Sequence, residues 1–244
     1  FNYYVASRKG EKRNKNGDCA YIDSHVLSNN DTVEGERLGE SIVAVVCDGI
    51  GGTKGGDYAA RMVAESFINT EGYFSDEKKL TTHIYDIHNQ IKELQKIMPN
   101  YPNMATTVAG IVLCKNHYIA FNAGDTRIYK CSKYKIEQIS VDHIVANDKS
   151  YVDCIANSAA LTRYLGGNIY NPMPFVTHGT YNSDEVFVLC SDGIYKELSE
   201  EKLFNLFVAT TYSIKKIKAA LSNIQSGSDD NTIMIIKANR RFNN

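Results

Sequence analysis

SIVAVVCDGIGGTKGG, residues 41–56, decides how the rest of the chain is read. Residues 42–47 form a continuous apolar run, which suits a strand covered on both faces. The run ends on a carboxylate, Asp48, and a cluster of glycines. Ala59, Met62, Val63 and Phe67 then recur three or four residues apart, the spacing of a helix. An apolar strand that delivers an Asp to its own mouth is a way to place a metal ligand, and the glycines let backbone or a ligand approach closely. The nucleotide loops do not fit. G-x-x-x-x-G-K-[ST] fails because Lys54 precedes Gly55 and no Gly-Lys-Ser/Thr follows. G-x-G-x-x-G fails because Lys54 stands where its third glycine should be. A plain turn with a helix-capping carboxylate stays open as the alternative.

On the N-terminal side, residues 1–7 read as a strand. Residues 8–17, RKGEKRNKNG, read as a polar loop or hairpin, and 19–23 as a second strand opened by Asp18. Residues 28–40 are polar and charged and read as an exposed loop. On the C-terminal side, Leu80, Ile84, Ile87, Ile91, Leu94 and Met98 mark an amphipathic helix over 76–98, closed by Pro99 and Pro102. His83 and His88 on that helix have no i, i+4 partner histidine, so no metal pair is expected there.

Strands are expected over 106–114, 118–122, 127–130 and 136–140, with Lys115-Asn116-His117 and 123–126 (AGDT) as tight turns. Residues 142–157 read as a short helix plus loop, and LTRYLGG, 161–167, ends on a glycine pair. Residues 186–190 form another buried strand that runs into an Asp-Gly. Ser199 caps a helix with Leu203, Leu206 and Phe207 facing inward. Ile214, Ile217, Leu221 and Ile224 mark a further helix, and 233–237 is the last strand. This order is not the alternation of a parallel α/β sheet. It reads as α+β, with mostly antiparallel strands and helices grouped on the outside.

Length and composition bound the function. A chain of 244 residues, 43% hydrophobic, can bury a sizeable core in one large domain or two small ones. A formal net charge of -1 gives no global field toward nucleic acid or anionic lipid. The cysteines at 19, 47, 114, 131, 154 and 190 make no C-x-x-C or zinc pattern. Cys47, Cys114 and Cys190 sit in apolar runs, as small hydrophobes do in a reducing compartment. No signal peptide opens the chain, and no apolar run approaches the roughly 20 residues of a membrane span. The chain opens on Phe1 rather than Met, which points to a trimmed start and leaves a flanking segment open.

Three expected strands end on an Asp or begin just after one: 43–47 before Asp48, 186–190 before Asp192, and 233–237 after Asp230. Asp18 precedes a fourth strand, and Asp125 sits in the AGDT turn. Carboxylates at the ends of several distant strands, each beside Gly, Ser or Asn, read as one convergent oxygen-ligand site for a hard cation such as Mg²⁺ or Mn²⁺. A single Asp-Gly is also a common turn; the repetition carries the reading.

These motifs resemble those of the metal-dependent protein phosphatases, the type-2C serine/threonine phosphatase family, in compact bacterial form. In family order, the resemblance runs through RNKNGD (13–18), DGIGG (48–52), ATTVAG (105–110), NAGDTRIY (122–129), VDH (141–143), LTRYLGG, LCSDGIYKEL (189–198) and DDNTIMII (229–236). It implies a four-layer αββα sandwich: two mostly antiparallel sheets flanked by pairs of helices, one catalytic domain over 1–244, and a flap at about 142–165. It also implies hydrolysis of phosphoserine and phosphothreonine monoesters by a metal-bridged hydroxide at a binuclear Mn²⁺ or Mg²⁺ centre. By the same resemblance Asp48 bridges two ions. The Gly49 carbonyl ligates one; Asp192 and Asp230 ligate the other. Asp18 holds metal-bound water. Asp125, with Asp192, serves a weaker third ion. Arg13 grips the substrate phosphate. The expected partners are phosphorylated proteins, targets of a serine/threonine kinase, met by a cytoplasmic monomer in signal transduction, with no nucleic acid and no membrane span.

Three departures stand out. Gly17 replaces the Glu or Gln the family usually has before the first Asp, which removes a water-mediated contact to one ion. Ile50 holds a position where some members carry a proposed acid, His, and Ile donates no proton. The segment between Asp142 and Leu161 is short. Gly17 keeps a second reading in play, a catalytically weak or silent phosphatase-like binding module.

Overall fold

The computed structural model describes residues 1–51, 54–70, 72, 74, 76–148, 159–169, 172–208 and 227–238. The 41–56 stretch becomes strand β5 (Ser41–Asp48), and its burial explains its composition. Ile42, Ala44 and Val46 face one apolar cluster, while Val43, Val45 and Cys47 face another. A strand alternates its side chains between two faces. Both faces here are covered, so no polar alternation survives. Truncating a fully buried residue of this run, such as Ile42→Ala, would cost about 2–5 kcal/mol.

The other strands are β1 (Asn2–Arg8), β2 (Asp18–Ile22), β3 (His25–Leu27), β4 (Asp31–Glu36), β6 (Ala105–Thr106), β7 (Val108–Cys114), β8 (His117–Ala123), β9 (Arg127–Cys131), β10 (Ile136–Gln138), β11 (Leu165–Gly166), β12 (Phe175–Thr180), β13 (Val186–Cys190) and β14 (Asn231–Lys237). They build two six-stranded sheets, ordered β10-β9-β13-β14-β1-β4 and β12-β8-β7-β5-β2-β3, with β11-β6 as a small third pair. The strand pairs within both large sheets are antiparallel. The first sheet joins the two ends of the chain, because β1 lies against β14.

Between the sheets, Tyr3, Val5, Phe187, Leu189, Met234 and Ile236 of one meet Ile22, Ile42, Val46 and Ile111 of the other. On the outer face of the β5 sheet lie α1 (Gly56–Glu65) and α2 (Glu77–Ile97), which bury Ala60, Val63, Leu80, Ile84 and Ile91. On the outer face of the other sheet, α3 (Asp192–Tyr195) and α4 (Glu200–Val208) contribute Ile194 and Leu203. The fold is the expected α+β sandwich. The helix expected over 214–224 and the inward Phe207 side chain lie outside the described residues.

Helix α2 starts where Asp76 accepts a hydrogen bond from the Lys79 amide, 2.9 Å away, a side-chain cap for an orphan donor. His88 on its inner face accepts from the Gly166 amide at 3.1 Å, and His83 pairs with Ser66 at 2.9 Å. Both histidines thus have hydrogen-bond partners within the fold, His88 buried and His83 half-buried. Two segments depart from expectation. Residues 28–40 contain β4, an edge strand of pattern DTVEGE whose side chains are mostly exposed. Residues 175–180 form β12, the edge of the other sheet. Edge strands carry one unpaired side and need little apolar patterning, so polar sequences can form them. Cys114, expected inside an apolar run, is exposed at the end of β7.

Candidate active site

The site forms where β2, β5, β13 and β14 deliver carboxylates to one end of the sandwich. Asp18 stands directly opposite Asp48 in the β2–β5 ladder. The end of β5 is pinned by residues 106 and 107. The Thr106 hydroxyl and the Thr107 amide donate to the Asp48 carbonyl at 2.9 and 2.8 Å, and the Asp48 amide donates to the Thr107 hydroxyl at 3.1 Å. The next residue must be glycine. A Cβ on Gly49 would stand 2.5 Å from the Gly56 carbonyl carbon and 2.7 Å from the Gly17 oxygen.

Asp18 is buried, and its Oδ2 accepts from Ser191 Oγ at 2.7 Å. Ser191 Oγ in turn accepts from the Thr232 amide at 2.9 Å, which ties the carboxylate to β14. Asp18 Oδ1 is buried with no hydrogen-bond partner among the described residues. A buried carboxylate oxygen left unpaired costs more than a neutral group would, so it calls for a water or a cation. Burial pushes the Asp18 carboxyl up to about 7, with Asp230 and Asp192 adding to it against the hydrogen bonds that stabilise the anion. Asp48 is pushed well above the usual carboxylate range, first by desolvation, then by Asp18, Asp192 and Asp125. Asp229 adds to these, and carboxylates crowded on another in this way are an arrangement that divalent cations relieve.

Asp230 is gripped by backbone. Its Oδ1 accepts from the Gly10 amide at 2.9 Å and its Oδ2 from the Gly17 amide at 2.8 Å. A carboxylate has about four acceptor sites, so both oxygens keep capacity for an ion. The neighbouring Asp229 holds Arg13, with Nε 3.0 Å and Nη2 2.5 Å from Asp229 Oδ1. That contact raises the Arg13 pKa, and the fields of Asp230 and Asp48 reach it too. The guanidinium lies against the Gly51 backbone, within 3.3 Å of where a Cβ would sit.

Asp48, Asp125 and Asp192 line a cleft of about 320 Å³, together with Ile50, Arg127 and Lys196. Asp125 is carried by the turn between β8 and β9. Gly124 takes φ 116° there, and a Cβ on it would press into the Thr107 side chain at 2.6 Å. Arg127 is clamped by Asp142 at the root of the flap, Nη2 to Oδ2 2.7 Å, and stacks 3.8 Å from the centre of the Tyr195 ring. The flap ends are tied together by a bridge between Ile144 and Leu161. Residues 149–158 of the flap lie outside the described residues.

Arg13, Asp18, Asp48, Gly49, Asp125, Asp192 and Asp230 therefore share one end of the fold: Asp18 opposes Asp48, Gly17 links Asp230 to Gly49, Arg13 lies against Gly51, and Asp48, Asp125 and Asp192 line one cleft. Among the described residues, no three His, Cys, Asp or Glu side chains close on one point tightly enough to hold an ion alone. Hard cations of the Mg²⁺ kind keep several waters and use one or two carboxylates, so this donor set, with the partnerless Asp18 oxygen, fits them. Sequence reasoning missed the partners: Asp229 on Arg13, Ser191 on Asp18, Asp142 on Arg127, and Tyr195 and Lys196 in the turn after Asp192. The i, i+3 and i, i+4 spacing from Asp192 was the available signal for the last two.

Comparison with known proteins identifies the family. The model of the family described as protein phosphatase 2C matches residues 24–223. A putative protein phosphatase of Mycoplasma genitalium is 26% identical over 220 residues, 78% of this chain and 82% of the relative. The serine/threonine phosphatase stp of Listeria welshimeri is 22% identical over 216 residues, 81% of this chain and 84% of the relative. The crystal structure of serine/threonine phosphatase Stp1 from Staphylococcus aureus has the same fold, with a TM-score of 0.76 at 22% identity over 98% of this chain and 95% of that one. The family model over most of the chain and the shared fold define the class of metal-dependent protein phosphatases. This chain belongs to the protein phosphatase 2C family, which works with Mn²⁺ or Mg²⁺.

Proposed function

We propose that the chain hydrolyses phosphoserine and phosphothreonine monoesters in proteins, using a pair of Mn²⁺ or Mg²⁺ ions at Asp48. The observation that carries this is the opposition of Asp18 and Asp48, two carboxylates forced together at a strand end with one buried oxygen left partnerless. Asp48 would serve both ions, the Gly49 carbonyl one, and Asp192 and Asp230 the other. When bound, such ions supply a nucleophile at neutral pH and take up charge from the phosphoryl oxygens.

The chain's own groups do the rest. Asp18 orients water through its free oxygen. Arg13, steadied by Asp229, receives the phosphate with the guanidinium edge that Asp229 does not use. Ile50 lines the cleft and donates no proton. One catalytic domain over 1–244 is part of this reading, and the β1–β14 pairing supports it. Cytoplasmic action on kinase products, as a monomer, completes it. Cys19 and Cys47 lie opposite each other, buried and unbonded, as suits a reducing compartment. Among the described residues no helix is long and apolar enough to cross a membrane.

The test is phosphate release from phosphoserine and phosphothreonine peptides by chelated protein, before and after Mn²⁺ is restored. Release only with metal supports the reading. A protein that binds Mn²⁺ and the peptide yet releases no phosphate would be a binding module instead.

A further inference from the structure

Asp192 to Tyr195 make a single helical turn, so residue 196 comes back onto the face of residue 192. Lys196 Nζ lies 2.5 Å from Asp192 Oδ2. The preceding residue reaches sideways, and the Tyr195 hydroxyl donates to Asp125 Oδ2 at 3.2 Å. One short turn thus engages an oxygen of each carboxylate that a third ion would need. Tyr195 is not free to leave, because Arg127 stacks on its ring and is itself clamped by Asp142. Asp192 is the more buried partner, with its side chain 16% exposed against 61% for Lys196, so the ammonium caps the carboxylate from the solvent side. The same turn thus sets an ammonium on Asp192 and a hydroxyl on Asp125.

We infer that Lys196 is a built-in cation that takes the place of a third metal ion between Asp192 and Asp125, leaving this chain with a pair of ions and no third. The inference rests on the metal pair proposed above, and it revises the third site that the motif resemblance implies. A divalent ion entering here would have to displace an ammonium from Asp192 and a hydroxyl from Asp125. It would also meet the positive charges of Lys196 and of the clamped Arg127 in the same cleft. The pair at Asp48 needs only the Asp192 oxygen that Lys196 does not hold.

The test is Mn²⁺ stoichiometry by equilibrium dialysis on the full chain, with no activity assay. Asp125→Ala should leave the wild-type number unchanged. Lys196→Asn should gain about one further ion, held in the millimolar range as weak sites are. That ion should vanish again in the Lys196→Asn, Asp125→Ala double variant. Lys196→Arg keeps the charge and should match wild type. A wild type that holds an Asp125-dependent ion overturns the inference, as does a folded Lys196→Asn that gains none. The Asp48→Asn variant, run in the same series, reports on the pair separately. Loss of nothing there would sink the proposed function, while the Asp125-dependent difference would still decide the role of Lys196.

Discussion

Asp18 faces Asp48 across one rung of the β2–β5 ladder, so the fold holds two carboxylates together that water would keep apart. Without metal, this opposition makes stability depend on pH. The Asp18 carboxyl sits at about 7 in the fold against 3.8 as its ordinary value. Between those two values the folded protein binds protons that the unfolded chain has released, so stability falls as pH rises through the window. Asp48 shifts in the same direction. The expected result is a metal-free protein that melts higher near about pH 5 than near about pH 8, a slope that Mn²⁺ removes by stabilising the charged forms. Thermal unfolding in chelator at several pH values measures it. Asp18→Asn should flatten the slope, and an unchanged slope in that variant would assign the effect elsewhere.

Gly17 lies at the edge of the same cluster. A Cβ there would stand 3.2 Å from Asp230 Oδ2 and 3.5 Å from the Gly49 oxygen, at a backbone angle that side chains tolerate. Gly17→Glu therefore adds a carboxylate beside Asp230. The metal-free variant should melt lower than wild type, through like-charge repulsion. With metal, the new carboxylate should lower the Mn²⁺ concentration for half-maximal activity by roughly 10- to 100-fold, the size of an outer-shell contact. Gly17→Ala brings the same close Cβ without the charge and should leave the Mn²⁺ requirement unchanged. Equal behaviour of the Glu and Ala variants would show that the site has no use for a group at this position.

The central strand and the mostly antiparallel α+β order were legible from apolar runs and Asp-Gly junctions, which are local signals, while the two-sheet sandwich was legible only through the motif resemblance. Two edge strands were not. In β4 and β12 the side chains are mostly half-exposed or exposed, and Thr, Glu, His and Gly take the places where a buried strand would show Val or Ile. The partners of the site residues were hidden for another reason. Asp229 is 216 positions from Arg13, and Ser191 is 173 from Asp18, so only the folded chain brings each pair together. Lys196 was the exception: four residues after Asp192, it was readable, but only once α3 was known to be helical.

Arg13 is proposed to bind phosphate and Asp229 to aim it. Arg13→Ala should raise KM for a phosphopeptide about 10- to 100-fold, the worth of a charged hydrogen bond, with Mn²⁺ affinity unchanged. Asp229→Asn should raise KM less and leave kcat nearly intact, since it loosens Arg13 without removing it. Steady-state kinetics with a metal titration separates these. A fall in Mn²⁺ affinity for Arg13→Ala would place that residue in the metal site instead.

The Arg127–Asp142 pair anchors the flap root, and both side chains are largely covered, at 22% and 10% exposure. Asp142→Asn removes the charge but keeps the shape. It should cost about 1–3 kcal/mol by leaving the half-buried guanidinium short of its counter-charge. In a chain of this size that is a fall of roughly 2–12 °C in Tm. Calorimetry checks it, and a Tm within about 1 °C of wild type would mean that the pair is screened like an exposed one.

The central claim is that Asp48 gathers the metal that hydrolyses the phosphoester. Its most direct measurement is phosphate release from a phosphothreonine peptide at saturating Mn²⁺, wild type against Asp48→Asn, with both shown folded by circular dichroism. The expected result is metal-dependent release by wild type and a rate at least about 100-fold lower in the variant, beyond what outer-shell changes cause. Release by Asp48→Asn at the wild-type rate, or wild-type release that survives exhaustive chelation, would contradict it.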